Sequence, residues 1–252
     1  MRCVNELRLA EFPFVIAGRM SNVLFRKPLY DGVVIKTTNY RTKNEAENTV
    51  TLSCGSTLRE TIRDMASKDL GGMEGLFGIP GSVGGMVKQN AGAFGYEIAD
   101  RFVSADCYFV SRNQISTVTK KDMEFEYRNS ALSSKETILL SATFSFVHKR
   151  RSEIFEEIAD YTSQRRQKQP IAMPSLGSVF KRCEGIGAGY YIDKAKLRGH
   201  RVGGAEISGK HAGFIVNAGG ATADDYLALI ELAKERVYNL FGIELQEEIE
   251  II

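Results

Sequence analysis

The sequence is short of thiols, of histidines and of charge of one sign, and each shortage removes a class of function. Its four cysteines, Cys3, Cys54, Cys107 and Cys183, stand far apart with no C-x-x-C pair. Metal-ligand spacing is therefore absent, and scattered thiols fit a reducing cytosol better than a disulfide framework. The three histidines, His148, His200 and His211, are equally dispersed. The formal net charge is +2, and no block of like charge exceeds the run from Lys149 to Arg151, which leaves no electrostatic footprint for a nucleic acid. No apolar run approaches the roughly 20 residues that span a bilayer. The N-terminus lacks the apolar stretch of a signal peptide. The expectation is a cytoplasmic protein with no metal, nucleic-acid or membrane partner.

What is present is ordinary globular composition, 252 residues with 43% hydrophobic and 25% charged, enough for one or two domains. Short β-branched runs predict strands at Phe14–Ala17, Gly32–Lys36 and from Thr49 to Gly55. Longer ones predict strands over Val103–Ser111, Gln114–Thr119 and Thr137–Val147, and a further strand at Phe214–Asn217. Apolar residues at helical spacing predict helices over Thr57–Lys68 (Leu58, Ile62, Met65), Ser152–Gln167 (Ile154, Ile158, Tyr161) and Ala188–Leu197. Thr222 with an acid three residues on opens a helix carrying Tyr226, Leu229, Ile230, Ala233 and Val237. Ile243–Ile252 reads as a returning strand. The mixture is α+β rather than a regular βαβ alternation, and the two prolines in the stretch from Arg165 to Pro174 make it the candidate domain junction.

One segment stands apart. Gly75 to Gly95, GLFGIPGSVGGMVKQNAGAFG, holds seven of the chain's 24 glycines. Glycine loses more entropy on folding than any other residue, so such a cluster implies close approach of the backbone to something. Successive N–H groups free of Cβ atoms make an anion site that suits a diphosphate. The spacing is neither G-x-G-x-x-G nor G-x-x-x-x-G-K-[ST], which excludes the ordinary Rossmann and P-loop readings. Composition leaves tight packing and phosphate binding both open. Upstream, Gly18, Ser21 and Asn22 follow a predicted strand and form a second loop of the same kind.

GIPGSVGGMVKQNAGAFG resembles the flavin-binding signature of the UDP-N-acetylenolpyruvoylglucosamine reductase (MurB) family, and the residues from Gly18 to Asn22 resemble its G-x-G-S-N loop. The likeness continues in order through Glu124–Ser130, Pro174–Arg182, Gly203–Ser208, Lys210–Asn217 and the stretch from Phe241 to Leu245. It implies a two-lobed FAD-binding domain of the vanillyl-alcohol-oxidase type over residues 1–165, a smaller α+β substrate domain over 166–240, and a C-terminal strand over 241–252 that returns to the active site. It implies FAD-dependent, NADPH-driven reduction of UDP-N-acetylglucosamine enolpyruvate to UDP-N-acetylmuramate, by a monomer, in peptidoglycan precursor synthesis.

The resemblance also implies roles. FAD would be held by Gly18, Ser21 and Asn22 and by Gly78, Ile79, Pro80, Gly81, Ser82, Gly84, Gly85, Asn90, Ala91 and Gly92. Hydride addition at one vinyl carbon puts negative charge on the other, delocalised into the carboxylate, and calls for an electropositive partner and a proton donor. Ser178 matches the family's proton donor, Arg128 its enolate-stabilising arginine, and Glu248 its C-terminal glutamate. Strand alternation separates Glu248 and Glu250 from the face of Leu245, Glu247 and Ile249. Lys181, Arg182 and Lys210 are candidates for the substrate's diphosphate. His211 is open between a core histidine bonded to backbone and a ligand, and Gly203 and Gly204 are open between structure and binding. Tyr190 and Tyr191 read as packing residues.

Departures from the family pattern lie mainly on the flavin side. Only Met1–Phe12 precedes the first strand, where the family carries a strand–helix–strand unit. Met20 and Lys196 stand where glycine is usual, Cys183 where proline is, and Glu250 where arginine is. The missing unit and Met20 motivate one alternative, a flavin-free, non-catalytic relative that binds a UDP-sugar; a further reading is a flavoenzyme of the same fold with another substrate.

Overall fold

The computed structural model describes residues 1–134 and 136–252. The chain divides into two compact units, Met1–Arg19 with Tyr30–Thr162, and Met20–Leu29 with Ser163–Ile252.

The first unit is built on a five-stranded antiparallel sheet in the order Gln114–Thr119, Phe102–Phe109, Thr137–Ser145, Thr49–Ser53, Lys43–Ala46. Its β-branched and aromatic residues alternate, and one face meets the helices. After α1 (Arg2–Leu9), α2 (Leu58–Ala66) turns Leu58, Ile62 and Met65 onto that face, all fully buried, each contributing about 2 kcal/mol of apolar burial. Helices α3 (Val83–Lys88), α4 (Ile98–Arg101) and α5 (Arg151–Lys168) complete the layer through Val83, Val87, Ile98 and Ile154. The edge strand Lys43–Ala46 is exposed throughout. Its Lys43 pairs with Glu45 and Asp64, and Glu45 pairs with Lys68. A charged edge of this kind resists pairing with another chain. The parallel pair Phe14–Ala17 and Val33–Lys36 packs Phe14, Ile16 and Ile35 around Val4, Tyr108 and Val110 as a separate small core. Helix α1, which carries Val4, was not foreseen; a single buried apolar residue leaves too little periodicity to detect.

The second unit is a four-stranded antiparallel sheet, Ser175–Ser178, Phe214–Asn217, Ala205–Ile207, Arg201–Val202, packed with α6 (Ala188–Lys194) and α7 (Ala223–Phe241). Thr222 Oγ1 accepts the Asp225 N–H, and Asp225 Oδ2 accepts the N–H groups of Thr222 and Gly204. That capping box fixes the start of α7, worth roughly 1 kcal/mol. Gly242, left-handed at φ 69°, ends it. The five apolar residues predicted for α7's inner face are all buried.

Three boundaries differ from the sequence reading. Residues 243–252 form a regular strand only at Glu250–Ile251, which pairs in parallel with Val23–Leu24. Upstream, single bonds alternate: Gln246 O accepts the Lys181 N–H, and the Glu248 N–H donates to Val179 O. Residues 20–29 therefore group with the C-terminal unit. The proline-bearing stretch from Arg165 does not divide the units either; α5 runs through to Lys168, and the division falls within it after Thr162. Among the described residues no helix is long and apolar enough to cross a membrane, and no group of His, Cys, Asp and Glu could hold a metal ion.

Candidate active site

In the first unit the two glycine-bearing loops meet. A Cβ at Gly18 would lie 2.1 Å from Ser82 Oγ, so a side chain there would displace that hydroxyl. Thr37 ties the same loop down, donating its N–H and Oγ1 to Ala17 O. On the other side, the Val83 and Gly84 N–H groups donate to Ser56 O and Cys54 O, and burial raises the pKa of the Cys54 thiol. Between these anchors Ser82 Oγ is buried without a hydrogen-bond partner. An orphaned hydroxyl is costly unless a ligand satisfies it. Flanked by a Cβ-free turn, it fits the phosphate end of FAD.

Not every residue named for the cofactor is free to offer its N–H. Those of Ile79, Gly84, Asn90 and Ala91 donate to Leu76 O, Cys54 O, Val87 O and Met86 O. They build the loop itself. Asn22 Nδ2 donates to Glu248 O at 3.0 Å, and Asn22 O accepts the Glu250 N–H at 2.9 Å, so this side chain ties down the C-terminal strand. Met20 is left-handed at φ 54° and Lys196 at φ 59°. Glycine is favoured in that region, where another residue costs roughly 1–2 kcal/mol.

Glu74 is fully buried just before the loop. Both its carboxylate oxygens accept the Gly72 N–H, and Lys149 Nζ stands 3.3 Å away. Lys149 also bonds Glu157 of α5 at 2.6 Å, and Tyr96 OH donates to Glu157 at 2.9 Å. Burial lowers the Lys149 pKa, but the Glu157 bond and the Glu74 charge outweigh it and the net shift is upward. Burial, the Glu157 bond and the Glu74 charge raise that of Tyr96. Sequence reading did not find this network; its members are distant in the chain and of ordinary surface type.

Arg128 is in the first unit, third in a tight turn closed by reciprocal bonds between Glu126 and Asn129. It is left-handed at φ 54°. Its guanidinium sits 5.0 Å over the Tyr127 ring and donates from Nη2 to Gly92 O at 3.1 Å.

Ser178 and Glu248 are both in the second unit. Ser178 ends the strand Ser175–Ser178, and the next residue's carbonyl, Val179 O, accepts the Glu248 N–H at 2.8 Å. The neighbouring Glu247 pairs with Lys234 of α7 at 2.5 Å. Lys181 is on the same crossing, its N–H on Gln246 O. Arg182 donates to Gly185 O in the turn Cys183–Ile186, beside a groove of about 320 Å³ lined also by Glu184, Ile243 and Glu244. Lys210 Nζ reaches Arg166 O instead. The three cations therefore have separate neighbours.

The loop carrying Lys210 is clamped by Arg198. That side chain pairs with Asp193 and donates to Gly209 O and Lys210 O, both at 3.1 Å; nothing in the sequence singles it out. His211 is a packing residue. Its Nδ1 accepts the Gly213 N–H at 3.1 Å, its ring stands edge-on to Phe214, and burial lowers its pKa. Gly203 and Gly204 are likewise structural, crowded by Asp225 and by the Gly219–Ala221 backbone. Tyr191 is buried, its ring 5.7 Å from that of Phe241, whereas Tyr190 is exposed with Lys194 over its ring.

Residues 1–111 match the FAD-binding domain family, and residues 169–252 match the C-terminal domain of UDP-N-acetylenolpyruvoylglucosamine reductase. The chain is 44% identical over 239 residues to the UDP-N-acetylenolpyruvoylglucosamine reductase of Caldicellulosiruptor saccharolyticus, covering 94% of this chain and 77% of that protein. It is 41% identical over 251 residues to that of Lactobacillus helveticus, covering 100% and 84%. Its fold superposes on the crystal structure of the Thermus caldophilus enzyme with a TM-score of 0.82 and 30% identity, covering 98% of this chain and 89% of that one.

Proposed function

Because this chain belongs to the UDP-N-acetylenolpyruvoylglucosamine reductase family, we propose that it reduces the enolpyruvyl ether of UDP-N-acetylglucosamine to the lactyl ether of UDP-N-acetylmuramate, a step in peptidoglycan precursor synthesis. FAD is the cofactor and NADPH the reductant. One NADPH and one proton are consumed for each double bond reduced. The flavin-free alternative has no observation in its favour.

When bound, FAD supplies the hydride that NADPH brings. The chain's own groups do the rest. Gly18, Ser82 and the turn at Gly78 and Gly81 would hold the diphosphate end of the cofactor. The Arg128 guanidinium, forked to match a carboxylate, balances the negative charge that builds on the substrate's carboxylate and adjoining carbon. Ser178 Oγ–H gives its proton to that carbon, and Glu248 shares the protonation. Lys181, Arg182 and Lys210 are assigned to the substrate's diphosphate. A cytoplasmic location follows from this reading, since NADPH and nucleotide sugars are found there, and one chain carries every residue the reading uses.

The observation that carries this reading is the bond from the Glu248 N–H to Val179 O, which ties the C-terminal glutamate to the residue directly after Ser178 in the second unit. The test is NADPH oxidation by the FAD-loaded chain with and without the enolpyruvyl nucleotide. The expected result is nucleotide-dependent oxidation with one lactyl ether formed per NADPH. Oxidation indifferent to the nucleotide overturns the reading.

A further inference from the structure

The asparagine of the glycine segment does something other than touch a cofactor. Asn90 is 1% exposed and left-handed at φ 37°. A carboxamide has two N–H donors and one acceptor oxygen, and here the protein uses all of them. Nδ2 donates to Glu97 Oε2 at 2.5 Å and to Glu126 O at 3.1 Å, while Oδ1 accepts the Ala99 N–H at 3.0 Å. No N–H is left for a ligand. The second of these bonds ends on the carbonyl that closes the turn Glu126–Asn129, which carries Arg128. Two residues after Asn90, Gly92 O accepts the Arg128 guanidinium at 3.1 Å. One short stretch therefore holds the base of the turn and its charged tip. Ser130 holds the far side, donating from Oγ to Lys88 O at 2.9 Å. Arg128 sits in a strained left-handed conformation, which persists only where the surroundings impose it.

We propose that Asn90 is a positioning residue for Arg128: it acts through the turn Glu126–Asn129 to aim the guanidinium at the substrate's carboxylate. This rests on the reductase reading of Arg128. Asn90 is therefore not a flavin ligand, and its removal weakens carboxylate recognition while cofactor is retained.

The test is calorimetric affinity of the FAD-loaded chain for the enolpyruvyl nucleotide and for plain UDP-N-acetylglucosamine, which lacks the carboxylate. The ratio of the two is the readout. It is compared in the wild type, Asn90→Ala, Arg128→Ala and the double variant, with bound flavin measured by visible absorbance. In the wild type the ratio is expected at roughly 10-fold or more, the scale of a hydrogen bond to a charged group. Asn90→Ala is expected to bring it down to the Arg128→Ala value with flavin content unchanged, and the double variant to fall no further. Ser130→Ala, which loosens the same turn from its other side, is expected to move the ratio in the same direction and serves if Asn90→Ala does not fold. A ratio unchanged in Asn90→Ala, or in Ser130→Ala where only that variant folds, overturns the proposal. So does loss of flavin from Asn90→Ala, or a further full loss in the double variant. A wild type with no preference for the carboxylate overturns the reading of Arg128 itself, and the proposal with it.

Discussion

At the scale of the residue, the question is which hydroxyl and which carboxylate act. Ser178 is a weak acid in water and serves only if held on target, and the pairing of Ser178 with Phe214 fixes its backbone. Ser178→Ala is expected to lower kcat by roughly 100- to 10,000-fold, the range of a positioned proton donor, with flavin retained. Steady-state turnover and visible absorbance check the two halves. A flavin-loaded Ser178→Ala with wild-type turnover would falsify the assignment. The two neighbouring glutamates separate in the same way. Glu248→Gln is expected to depress turnover with little change in stability. Glu247→Gln breaks a half-exposed pair with Lys234 and is expected to cost about 1 kcal/mol or less, with turnover unchanged. Denaturant unfolding and turnover on both variants decide it, and a reversal of the two phenotypes would reassign the role to Glu247.

At the scale of the element, an ion network stands at the entry to the glycine segment, where Glu74 accepts the Gly72 N–H. Lys149 Nζ stands 3.3 Å from buried Glu74 and reaches across to α5 through Glu157. Removing one partner of a buried pair leaves the other charge uncompensated. Lys149→Met is therefore expected to destabilise the chain by about 3 kcal/mol, read from denaturant midpoints, whereas Glu157→Gln leaves Glu74 paired and is expected to cost less. A near-neutral Lys149→Met would show that the Gly72 N–H alone satisfies Glu74. Networks of this type also mark where sequence reading stops. α2 and α7 were legible because their apolar residues recur at helical spacing and Thr222 supplies a cap. The glycine loops were legible because so many glycines in one stretch need a cause. Helix α3 was not, since two glycines among its six residues hide it, and the strands Ser175–Ser178 and Arg201–Val202 are too short or too polar to alternate. Asn22 and Asn90 were visible as members of a signature, but only coordinates show that their carboxamides bond the backbone at Glu248 and Glu126. A motif marks a place; the partners of its side chains come from residues far away in the chain.

At the scale of the whole molecule, the chain passes between its two units three times, after Arg19, Leu29 and Thr162. The residues assigned to chemistry are divided between them, Arg128 in the first and Ser178 and Glu248 in the second. Each unit has its own core, so stability as well as catalysis is open to a group in either one. His211, in the second unit, is such a group. Burial pulls its pKa below the ordinary 6.5; a backbone hydrogen bond opposes that shift, and the positive charge of Arg198 adds to it. Nδ1 accepts the Gly213 N–H, a bond that requires the nitrogen to be unprotonated. The sign follows. With the folded pKa below the unfolded one, the unfolded chain binds more protons as the solution acidifies. The contribution of neutral His211 is fully present above pH 6.5 and is lost progressively as pH falls below it. His211→Asn can still accept from Gly213 but does not titrate. On going from about pH 7.5 to about pH 5.5, the denaturant midpoint of the wild type is expected to fall further than that of His211→Asn, while the two respond alike above pH 7. Equal slopes on the acid side would mean that the imidazole charges in place, and that the loop between Ser208 and Gly213, which carries Lys210, opens to water without the chain unfolding.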